Sequence, residues 1–130
     1  MNIKEFAEKY YLHDSSIEKI EYNYENQELK LKIEFCFWQQ IDYNKNEPSN
    51  GLILVTFQSV SNFEYDENIS DKIFADEHDN EILDAKVLKN DTLILNIRET
   101  TNYNPLEEIF YQLKITAKNV EVDELERYDL

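Results

Sequence analysis

Glycine is nearly missing from this 130-residue chain: Gly51 is the only one. That scarcity removes the phosphate-cradling loops of the GxGxxG and GxxxxGK types and the GxSxG nucleophile elbow. All of them need glycine where the main chain turns sharply or approaches a ligand. Cysteine is equally scarce, and Cys36 alone excludes an internal disulfide framework and a cysteine-rich zinc site. No run approaches the roughly 18 apolar residues of a membrane-spanning helix. Residues Met1 to Glu8 lack the apolar core of an export signal, so a cytoplasmic location is expected. Positive charge is short as well, with 13 Lys and Arg against 28 Asp and Glu, a net charge of −15. This balance argues against binding nucleic acid or an anionic membrane, both of which call for basic patches. It suits a basic partner, or simply solubility.

What is present is a chain able to fold. Hydrophobic residues make up 42% and aromatics 13%, unlike a disordered acidic tail. The length predicts a single domain over residues 1–130 with one core. Ile3, Phe6, Ala7, Tyr10 and Tyr11 fall at helical spacing, with Asn2 and Glu5 placed as a capping box. Period-two alternation then takes over. Ile20, Tyr22 and Tyr24 share one face, Asn26-Gln27 is a turn, and Leu29, Leu31, Ile33, Phe35 and Phe37 line one face of a long strand. Phe35-Cys36-Phe37-Trp38 is apolar on both faces, which predicts cover on both sides. A strand from Leu52 to Ser59, a bend at Asn62 and a short strand over Phe63-Glu64-Tyr65 follow. Glu67 to Glu77 reads as a connector. A second hairpin runs over Ile82–Leu88 and Thr92–Arg98, turning at Asn90-Asp91. A loop around Pro105 leads to a strand alternating through Ile109, Tyr111, Leu113, Ile115 and Ala117, and Val120 to Leu130 reads as an acidic end.

The two halves share this grammar. His13-Asp14-Ser15-Ser16-Ile17 matches His78-Asp79-Asn80-Glu81-Ile82. Leu29 to Ile33 matches Leu93 to Ile97, Val55-Thr56-Phe57 matches Leu113-Lys114-Ile115, and Asn62 to Glu67 matches Asn119 to Glu124. An internal duplication is inferred, with repeats at approximately 13–67 and 78–125. The expected fold is mainly β: an antiparallel sandwich or strongly curved sheet of about six to eight strands, with one short N-terminal helix. One continuous sheet with the helix across a face is the alternative.

Chemistry-bearing residues are few. His13, Asp14, His78 and Asp79 would offer a metal two nitrogens and two oxygens if the fold brought them together. The competing reading makes each His-Asp pair the local opening of a hairpin, its Asp bonded to backbone. No catalytic set and no cofactor site can be proposed. Ser15 and Ser16 lack triad geometry, and Cys36, in an apolar strand end, reads as a structural thiol. The acids are concentrated in related places of the two repeats, which nominates Glu64, Asp66, Glu67, Glu121, Asp123 and Glu124 as a surface for a basic protein. Tyr43, Tyr65 and Tyr103 are candidate interface anchors beside them.

Leu12-His13-Asp14-Ser15-Ser16-Ile17, followed by a hairpin ending in Phe37-Trp38, resembles a class of small bacterial β-rich proteins marked by His-Asp-Ser. Some of that class look like immunity proteins of polymorphic toxin systems. The resemblance implies a binding protein that blocks a toxin, and brings no catalytic residues with it. Asn80 stands for Ser15 in the second copy. The functions in play are therefore a non-enzymatic binding module, a metal-dependent hydrolase on the paired His-Asp motifs, and a structural module that forms homo-oligomers.

Overall fold

The computed structural model describes residues 1–65, 78–101 and 108–129, with the backbone alone at 78, 79 and 101. Helix α1 spans Ile3–Lys9, and six strands follow: β1 Ser16–Asn23, β2 Glu28–Cys36, β3 Asn50–Tyr65, β4 His78–Leu88, β5 Thr92–Thr101 and β6 Glu108–Tyr128. A single 3-10 turn, Phe37–Gln39, follows β2. The strands are antiparallel and close into a barrel in the order β1-β2-β3-β6-β5-β4. The expected curved sheet thus curls until its edges meet, at a narrow seam where Ser16 faces Glu81.

Alternation explains the strands. Leu29, Leu31, Ile33 and Phe35 of β2 point inward, as do Ile53, Val55 and Phe57 of β3, Leu93, Leu95 and Ile97 of β5, and Leu113 and Ile115 of β6. A barrel this small fills its interior with such side chains and leaves no channel. The capping box forms as read: Asn2 Oδ1 accepts from Glu5 N–H at 2.8 Å, and Glu5 Oε1 accepts from Asn2 N–H at 3.0 Å. The helix lies across the barrel end nearest the β4–β5 turn, where Lys4 N–H donates to Asn90 O. Ile3 and Phe6 are fully buried, and the Phe6 ring meets Phe57 edge-on.

The strand order is unchanged when β1, β2 and β3 are exchanged with β4, β5 and β6. Leu29 faces Phe57 and Leu31 faces Val55, while Leu93 faces Ile115 and Leu95 faces Leu113. The first strand of each half is irregular at the same place, between Ile17 and Lys19 and between Ile82 and Asp84. A duplication would leave this symmetry, but the symmetry does not require one.

Three details depart from the sequence reading. The bend at Asn62 is a bulge inside one 16-residue strand, with Ser59 at φ 53° and a register shift between Val60 and Asn62. The acidic end after Val120 is the second half of β6, paired with β3 as far as Tyr128. Trp38, expected under cover, sits in the 3-10 turn and is 51% exposed, whereas Phe35, Cys36 and Phe37 are buried. The connector at Glu67–Glu77 and the loop around Pro105 lie outside the described residues. No helix among the described residues is long and apolar enough to cross a membrane.

The one glycine is a packing device, since its φ is not positive. A Cβ at Gly51 would lie 2.2 Å from Glu126 O and 2.7 Å from Phe37 Cε2. Only glycine lets β6 and the Phe37 ring approach β3 so closely. The turns make do without glycine. Asp14, Gln27, Ser59, Lys89 and Asn90 all carry positive φ. Only Asp14 and Asn90 are of the types that accept it cheaply.

Candidate functional site

The His-Asp-Ser segment forms a clasp between the entry to β1 and the exit of β2. Asp14 turns the chain with φ 67°. Its N–H donates to Ile82 O at 2.9 Å, and Ile82 N–H returns a bond to Ser15 O at 2.7 Å. Ser15 is fully buried, and its Oγ accepts from Cys36 N–H at 3.2 Å. Asp14 Oδ2 accepts from Gln39 Nε2 at 3.3 Å and lies 3.3 Å from His13 Nδ1. The His13 ring stacks on Tyr11 at 5.9 Å. Gln40 completes the clasp by accepting from Tyr11 N–H and donating to Tyr11 O, both at 2.9 Å. Asp14, Ser15 and Gln40 thus hold chain to chain, whereas the His13 ring meets Tyr11 and Asp14 of its own segment. Burial, helped by the charges of Asp14 and Glu34, pushes the Cys36 thiol up and away from a reactive thiolate, against the opposing bond from Ser15.

The His-Asp pairs flank the seam between β1 and β4, and the side chains of His78 and Asp79 lie outside the described residues. Ser16 faces Glu81 across antiparallel strands; His78 precedes that crossing by three residues at the start of β4, and His13 by three residues in the turn ahead of β1. Asp14 is bonded to Ile82, and His78 lies four residues earlier on β4, roughly 13 Å along that strand. Among the described residues no group of three or more His, Cys, Asp or Glu is arranged to hold a metal.

In the second half the interior turns polar. Glu99 follows Leu93, Leu95 and Ile97 on the inward face of β5 and is fully buried. Tyr111 Oη donates to buried Asn80 Oδ1 at 2.7 Å. Burial, and then the charge of Glu99, pushes the Tyr111 phenol above the ordinary tyrosine range. The sequence reading passed over Glu99, although the same alternation that placed Leu93, Leu95 and Ile97 inside also points to it.

The nominated surface residues divide into two groups. Glu121 faces Thr56 and Glu64 faces Lys114 across the β3–β6 ladder, so the length of β3 from 56 to 64 separates them, roughly 25 Å. Glu64 and half-buried Tyr65 border a shallow cleft of about 430 Å³ with Phe110 and Lys114. Asp66, Glu67 and Tyr103 lie outside the described residues. Tyr43 is half-buried and donates to Glu47 O at 3.1 Å, which fixes its own loop.

The other group is denser. Glu121, Asp123, Glu124 and Glu126 are all exposed on the second half of β6. Arg127 is the one cation there. It donates to Glu124 and Glu47, both at 2.9 Å, and lies over the Phe37 ring at 3.9 Å. The loop after β2 is tied to this strand end, because Ser49 N–H donates to Asp129 Oδ1 at 2.9 Å and Trp38 N–H donates to Ser49 O at 3.0 Å. Exposed apolar side chains gather nearby: Trp38, the fully exposed Ile41, and Tyr11 held by Gln40. Burial, and then the charges of Glu34 on β2, Glu18 on β1 and Glu126, raise the Tyr128 phenol. Trp38, Ile41 and Tyr11 were not nominated from sequence: Tyr11 falls on the apolar stripe of the helix, Trp38 in the strand end expected under cover, and Ile41 at the head of a polar loop.

No family model, no curated protein and no solved structure matches this chain.

Proposed function

We propose that the chain is a non-enzymatic binding protein of the immunity type, which occupies and neutralises a basic protein toxin in the cytoplasm, with no nucleic acid as partner. One observation carries the reading. The loop bearing Trp38 and Ile41 is hydrogen-bonded to Asp129, so exposed apolar side chains lie on a loop anchored at the end of the strand that carries Glu121, Asp123, Glu124 and Glu126. Apolar anchors within a polar rim are the usual anatomy of a protein interface. Unneutralised carboxylates would speed the approach of a cationic partner. The resemblance of the His-Asp-Ser segment to immunity-type proteins agrees with this reading, and the clasp gives that segment a scaffolding part in it.

The test uses the full chain as bait at low and high salt, with a triple variant Glu121→Gln, Asp123→Asn, Glu126→Gln beside it. The expected result is a basic protein that is released by salt, lost by the variant, and harmful to cells only when expressed without this chain. Absence of any salt-sensitive partner, or equal binding by the variant, would sink the proposal.

A further inference from the structure

Strand β6 outlasts its neighbour β5. Up to Thr116 one of its edges is paired with β5. At Val120 the main-chain N–H on that edge donates to Met1 O at 2.7 Å, and Val120 O accepts from Met1 N at 3.2 Å. From Glu121 to Tyr128 only the β3 edge is laddered. Among the described residues no main-chain group pairs with the other. Since Val120 turns its N–H and C=O to the open edge, ladder alternation turns those of Val122 and Glu124 the same way. An open edge of this length is a template for another strand.

The side chains decide which strand. Glu121, Asp123 and Glu126 make no ion pair among the described residues, and Glu124 shares Arg127 with Glu47. A second copy docked antiparallel would set these carboxylates against their own kind, and like charges directly opposite are destabilising. An extended segment with Lys or Arg at alternate positions would instead bring cations beside them and place its intervening apolar residues next to Val122. We propose that the open edge of β6, from Val122 to Tyr128, takes up a basic extended segment of a protein partner by strand addition. This inference rests on the reading of the chain as a binder of a basic protein.

The probe is a labelled ten-residue peptide alternating Lys and Val, titrated into the full chain by fluorescence anisotropy. A Lys and Gly peptide of the same charge serves as the comparison. Binding by the first peptide and not the second is expected, together with slowed hydrogen exchange at the amides of Val122 and Glu124. Glu124→Gln removes charge alone, whereas Glu124→Pro also removes an outward donor and leaves the β3 side of the ladder intact. Glu124→Pro should bind about two- to tenfold more weakly than Glu124→Gln, the worth of one hydrogen bond. Equal binding of the two peptides, no binding of either, or protection elsewhere overturns the proposal. The exchange measurement uses the unaltered chain, so the test survives a failure of Glu124→Pro to fold. A salt-sensitive toxin partner that protects other amides would leave the functional reading standing and remove the edge. Peptide bound at the edge with no basic partner in cells would do the reverse.

Discussion

Gly51→Ala adds one methyl group where the barrel has no room for it. The new carbon would lie 2.2 Å from Glu126 O, 2.7 Å from Phe37 Cε2 and 3.2 Å from Arg127 Cα. Carbon contacts ordinarily settle near 3.5–4.0 Å, so β6 must retreat by about 1 Å or more. The Phe37 ring can swing, but it lies under the Arg127 guanidinium. The carbonyl of Glu126 belongs to the ladder, where Glu126 faces Leu52, and has no rotamer to change. Overpacking of this kind costs about 1–3 kcal/mol. Against it, alanine restricts the unfolded chain and returns about 0.5–1 kcal/mol. Because main chain must move, the upper part of the range applies, and the net loss is about 2 kcal/mol. For a domain of this size that lowers Tm by roughly 6–10 °C. Urea unfolding followed by the fluorescence of Trp38, adjacent to the crowded ring, measures it directly. A midpoint equal to or above that of the parent, with unchanged slope, would refute the close packing of β3, β6 and Phe37.

Three further outcomes follow from the same contacts. Ser15→Ala should cost about 1–3 kcal/mol in urea unfolding, because it strands the buried Cys36 N–H that Ser15 Oγ now accepts; an unchanged midpoint would deny the clasp any structural part. Gln27→Gly should raise stability by about 0.5–1 kcal/mol, since it relieves φ 53° and keeps the main-chain bond from Val60 N–H to Gln27 O; a loss of stability would contradict this. Tyr111 is held protonated by burial and by Glu99, so its contribution is fully present below about pH 10, where the unfolded chain begins to ionise, and is lost as pH rises further. Tyr111→Phe should lose about 1 kcal/mol at neutral pH, with the bond to Asn80, and should flatten the alkaline fall in stability. An alkaline fall of the same steepness in the variant would show that Tyr111 does not drive it.

Local rules carried much of the fold. The alternation of Leu29, Leu31, Ile33 and of Leu93, Leu95, Ile97 set two strands with their inward faces, and Asn2 with Glu5 set the helix start. Closure was not readable, because it depends on the bulges after Ile17 and Ile82 and on the short seam at Ser16 and Glu81. The acidic half of β6 was read as an end because Glu121 to Arg127 lacks apolar alternation. Its place in the sheet comes from pairing with apolar Leu52 to Phe57, a long-range effect that local propensity does not report. At the candidate site, charge was legible and geometry was not. Glu121, Asp123 and Glu124 were found, while the exposure of Trp38 and Ile41 depends on a loop whose position is fixed by Ser49 and Asp129.

Strand β3 has a consequence during synthesis. Among the described residues it is the one ladder partner of the second half of β6, yet β6 follows the other five described strands in the chain. Until then β3 offers an unpaired edge through Leu52, Ile53, Leu54, Val55 and Phe57, with the high β propensity and low charge that favour intermolecular pairing. The nascent chain therefore passes through a state more prone to aggregate than the finished barrel. The carboxylates of β6 arrive on the strand that closes that exposure. Slow translation across the β5–β6 interval should lower soluble yield, and co-translational chaperones should find their site on β3.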